Sequence, residues 1–63
     1  MQLLLHDSAY TERLAAFLRS VGQQPVVAGP TSVDVGNMEP AEIEVYLRVW
    51  RVLYPDADVV LQA

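Results

Sequence analysis

Two hydrophobic periods alternate along the chain, and their changeovers divide it into six short elements. Gln2 to His6 places an apolar triplet, Leu3-Leu4-Leu5, between polar ends, which reads as a short strand. From Ser8 to Val21 the period lengthens: Tyr10, Leu14, Phe17, Leu18 and Val21 recur at helical spacing within an arc of about 100°. Asp7 or Ser8 can accept hydrogen bonds from the first free amides of this helix, Glu12 suits its positive end, and Gly22 can close it. Pro25–Ala28 and Ser32–Val35 then read as two extended runs around Gly29-Pro30-Thr31, a hairpin in which Val33 and Val35 share one face and Ser32 and Asp34 the other. Pro25 has no N–H to give to a ladder, so its strand belongs at an edge. After the break at Gly36-Asn37, Glu39-Pro40 opens a second helix that runs to about Tyr54; Pro55 stops it, Asp56-Ala57-Asp58 turns, and Val59-Val60-Leu61 closes the chain as a last strand.

The order βαββαβ predicts an α+β chain of the ferredoxin-like kind, a two-layer sandwich with a four-stranded antiparallel sheet in the order 4-1-3-2 and both helices on one face. The strands are short, and the competing arrangement is an open βαββα chain with a frayed tail.

The second helix is apolar over too much of its circumference. Stepping about 100° per residue from Ile43, its apolar positions (Ile43, Val45, Tyr46, Leu47, Val49, Trp50, Val52, Leu53 and Tyr54) cover roughly 220°. Glu44, Arg48 and Arg51 alone make a clean polar stripe. One sheet face covers part of such a helix, which leaves Val45, Val49 and Val52 for the first helix or for something outside the chain. The first helix has little to offer beyond Ala15 and Ala16. On the sheet, if Leu3 and Leu5 face the helices, Leu4 faces away, and Val60 does the same if Val59 and Leu61 point inward, with Val27 a further candidate for that patch. Contiguous exposed apolar patches mark interaction surfaces. The expected interface set is therefore Val45, Val49, Val52, Trp50, Leu4 and Val60; Trp50 belongs to an aromatic cluster with Tyr46 and Tyr54 that reads mainly as core, and it joins the set because tryptophan anchors so many interfaces.

Size strengthens this expectation. Sixty-three residues make a single domain, 1–63. Such a chain buries only about 60% of its unfolded surface, so its stability is marginal unless the core is supplemented. The sequence has no cysteine, which excludes disulfides and thiolate-bound metal and leaves oligomerisation, here a homodimer or a protein partner. The hydrophobic fraction of 52% argues against disorder. No apolar run approaches the roughly 20 residues of a membrane span, and the start lacks the basic and apolar regions of a signal peptide, so a cytoplasmic location is expected. Four arginines against eight carboxylates give a net charge of −4, which repels nucleic acid and anionic membranes, and Arg13 and Arg19 lie on different sides of their helix.

Candidate chemistry is thin. His6, the only imidazole, stands beside Asp7 and Ser8 at a strand-to-helix loop. Free amides at the helix start there are the expected place for an anion or small ligand, and a ligand-sensing domain with its site at a subunit interface is the alternative function. Asp34, Asp56 and Asp58 with His6 have no zinc or calcium ligand spacing, so no metal and no cofactor is expected. Gly22, Gly29 and Gly36 are too far apart for a phosphate loop. No nucleophile stands near a base, so an enzyme is not expected. The leading reading is a small protein-interaction or regulatory module that self-associates through apolar helix or sheet surface.

Overall fold

A computed structural model of the protein describes residues 1–36 and 38–62. Four strands, β1 (Gln2–Leu5), β2 (Val26–Gly29), β3 (Ser32–Asp34) and β4 (Val59–Gln62), form one antiparallel sheet in the order β2-β3-β1-β4. Two helices, α1 (Thr11–Ser20) and α2 (Pro40–Leu53), separate β1 from β2 and β3 from β4. The chain is thus a small α+β fold, and its last strand pairs with β1 along its whole length. Of the sequence break at Gly36-Asn37, Asn37 lies outside the described residues.

Helical structure begins differently from the sequence expectation. The Asp7 carboxylate accepts the Ala9 amide at 2.9 Å, and the Asp7 carbonyl accepts the Tyr10 amide at 3.2 Å. These short-range bonds wind Ser8–Tyr10 into a single 3₁₀ turn, and regular α-helix starts only at Thr11. The Thr11 hydroxyl donates to the Pro30 carbonyl at 2.6 Å, pinning the start of α1 to the β2–β3 turn. At the far end Gly22 adopts a φ of +88°. Its amide donates to the Arg19 carbonyl and that of Gln23 to the Leu18 carbonyl, the paired bonds that close a helix through a left-handed residue. Pro40 opens α2 in the first turn, where its missing N–H leaves nothing unpaired.

The register decides the two sheet faces. Leu3 lies opposite Val33 and Leu61, and Leu5 opposite Val59, so these side chains share one side. That side packs on Leu14 and Leu18 of α1 and on Ile43, Leu47 and Trp50 of α2 in a single core, to which the turn before β4 adds Ala57. Both helices therefore cover the same side of the sheet. Val27 lies opposite Val33 and belongs to this helix side; the residue of β2 on the open side is Val26, opposite Asp34. This corrects the placement of Val27 in the outer patch. A register shift between Val27 and Gly29 ends the regular pairing of β2, and the facing of its residues follows from the partner strand.

Candidate interaction surface

α2 has three sides, each with a different fate. Ile43, Leu47 and Trp50 are enclosed in the core. The opposite side carries Val45, Val49, Val52 and Leu53, exposed at 55%, 47%, 81% and 56%. Spacings of four and three residues keep the three valines in one row along the helix. The third side, formed by Glu44, Arg48 and Arg51, overlooks β4.

The valine row stays uncovered because α1 meets α2 elsewhere, through aromatic rings. Tyr10 and Phe17 stand 6.5 Å and 5.8 Å from the Trp50 ring, and Tyr54 stacks at a tilt on Trp50 at 4.4 Å. The Arg13 guanidinium lies over both Tyr10, at 5.5 Å, and Tyr54, at 5.9 Å, an arrangement that favours a cation on the ring faces. Ala16, one of the two residues available to shield α2, is itself exposed.

Trp50 requires a correction as an interface residue. It is fully buried, and its indole N–H donates to the Ala57 carbonyl at 3.2 Å. Apolar bulk and a polar handle are both used inside the chain, so no partner can reach the ring in this fold. Leu4 and Val60 do lie opposite each other on the open side of the sheet, Leu4 half-buried and Val60 exposed. Their neighbours on that side, Gln2, Ser32, Asp34 and Gln62, are polar, so the sheet contributes a narrow apolar strip rather than a broad patch.

Between α2 and β4 runs an open groove of about 340 Å³. Leu47, Val59, Val60 and Leu61 supply its apolar lining, and Glu44, Arg48 and Arg51 its charged wall. In the sequence these three charges form a polar stripe. Their common position over a sheet edge depends on which way α2 rolls onto the sheet, and periodicity alone does not contain that information.

The strand-to-helix loop is built from its own polar groups. His6, Asp7 and Ser8 are all exposed, and the Asp7 carboxylate already occupies the helix start, taking the Ala9 amide. An incoming anion would meet this negative charge beside the amides at the helix start. Asp34 is likewise engaged locally, accepting the Gly36 amide at 2.7 Å. Among the described residues no three His, Asp or Glu side chains converge as metal ligands, and none of the helices is long and apolar enough to cross a membrane. Thr11 is the one buried polar residue among them, and its hydroxyl is committed to Pro30.

No family model, curated protein or solved structure matches the chain.

Proposed function

We propose that the chain is a small, non-enzymatic interaction module of ferredoxin-like topology that works as a self-associated pair. The topology reading rests on the strand order, which from the β4 edge runs 4-1-3-2, with a helix in each of the two crossovers. The observation that carries the functional reading is the apolar side of α2. Val45, Val49, Val52 and Leu53 remain in water although the core beneath them is complete.

Magnitudes favour coverage of this surface. Removing about 300 Å² of apolar area per copy from water contributes on the order of 7 kcal/mol before the cost of association. A chain of 63 residues is itself stable by only about 3 to 9 kcal/mol. A second copy therefore changes the stability of the fold as well as its oligomeric state. Sedimentation equilibrium on the unmodified chain is expected to give a dimer mass at micromolar concentration. A single monomeric species persisting to several hundred micromolar would overturn the reading.

A further inference from the structure

The two edges of the sheet are unequal, and the difference points to how two copies meet. At the β2 edge Pro25 precedes the strand without an N–H to donate, and the register shift between Val27 and Gly29 interrupts the ladder. Both devices discourage pairing with another strand. The β4 edge has neither. Val59–Gln62 contains no proline and no charge, keeps regular register with β1, and has no strand on its outer side among the described residues. An edge of this kind is a template for a further strand.

We propose that two copies join through their β4 edges around a two-fold axis, making one continuous eight-stranded sheet. This proposal takes from the reading above that the chain pairs with a second copy, and places the contact at the β4 edge and the charged wall of α2 rather than on the valine row. Antiparallel partners share a face, so the register that places Val60 opposite the second copy's Val60 also places Val59 opposite Leu61 and Asp58 opposite Gln62. Every apolar residue of the edge then meets an apolar residue, and no charge meets a like charge. The groove supplies the second half of the match. Along the wall of α2, acidic Glu44 comes first and basic Arg48 and Arg51 follow one and two turns later. A two-fold axis reverses the second copy's α2, so the acidic end of each wall faces the basic end of the other. Two of the chain's four arginines lie on this wall, in a chain of net charge −4. The two α2 helices come to lie side by side and antiparallel, and their valine rows, on the side of α2 away from the core, stay outside this contact.

The absence of cysteine makes the test direct. Three single-cysteine variants at exposed positions, Val60→Cys, Val49→Cys and Val26→Cys, are incubated with oxidised glutathione under native conditions and resolved by non-reducing electrophoresis, beside sedimentation of the unmodified chain. The expected result is a covalent dimer of Val60→Cys formed at least ten times faster than that of the other two. A dimeric parent chain whose Val49→Cys or Val26→Cys variant cross-links fastest would overturn the β4 pairing and leave self-association standing. A monomeric parent chain would remove both. Charge reversal provides a readout that leaves the strand untouched: Arg48→Glu is expected to raise the dimer dissociation constant about tenfold, and adding Glu44→Arg to recover most of it. Dimerisation indifferent to both changes counts against the facing walls.

Discussion

Trp50 is the largest side chain that the protein encloses completely. An indole of this kind buries about 200 Å², worth on the order of 5 kcal/mol, and here it also holds the chain end through Ala57. Trp50→Ala is expected to lose about 3 to 5 kcal/mol, most of the stability available to so short a chain. Urea titration followed by far-ultraviolet circular dichroism should show a largely unfolded population without denaturant. Gly22 acts through its backbone alone: at φ +88° an added Cβ meets no neighbouring atom, so the penalty of Gly22→Ala is conformational, about 1 kcal/mol, visible as a lowered urea midpoint with an unchanged slope. The sequence identified Gly22 correctly because helix closure is a local event. It left Trp50 between core and interface because residue type says that a tryptophan anchors something, and only packing says whether the anchor lies inside or outside the chain.

Among the elements, α2 separates folding from association most cleanly. Its buried side and its valine side differ by half a turn, and they should respond oppositely to charge. Val49→Glu and Val52→Glu are each expected to keep the native circular dichroism spectrum and to shift stability by no more than about 0.5 kcal/mol in the monomer, since both side chains already stand in water. Unfolding by either change would mean that the valine side is structural. The surplus of apolar positions on this helix was legible from a step of about 100° per residue. So were the four strands and the hairpin, from their alternation and their turn residues. The short 3₁₀ start at Ser8–Tyr10 was not legible, because it depends on which of two adjacent polar residues, Asp7 or Ser8, captures the first amides. The facing of Val26 and Val27 was hidden for another reason: β2 takes its orientation from its pairing with β3, and a shifted register changes it without any change in composition.

For the whole molecule, the balance lies between a core built from one side of one sheet and a surface that the chain does not cover. If association supplies part of the stability, the two are linked through mass action. The thermal midpoint is therefore expected to climb as protein concentration is raised from about 1 to 100 µM, by several degrees in differential scanning calorimetry, and a midpoint independent of concentration would show that folding does not draw on a second copy. What no periodicity could supply was the placement of the charged wall of α2 above β4, because the roll of a helix on its sheet is settled by the whole core at once. Glu44, Arg48 and Arg51 were visible as a stripe in the sequence, but the groove they border was not.

The pairing of β1 with β4 has one more consequence. Gln2 lies directly across from Gln62, so the chain returns to the corner from which it set out. Residues sixty positions apart in sequence sit about 5 Å apart in space, the spacing of paired strands. That closeness lets the fold be carried as a loop inside a larger protein, entering and leaving by a single doorway.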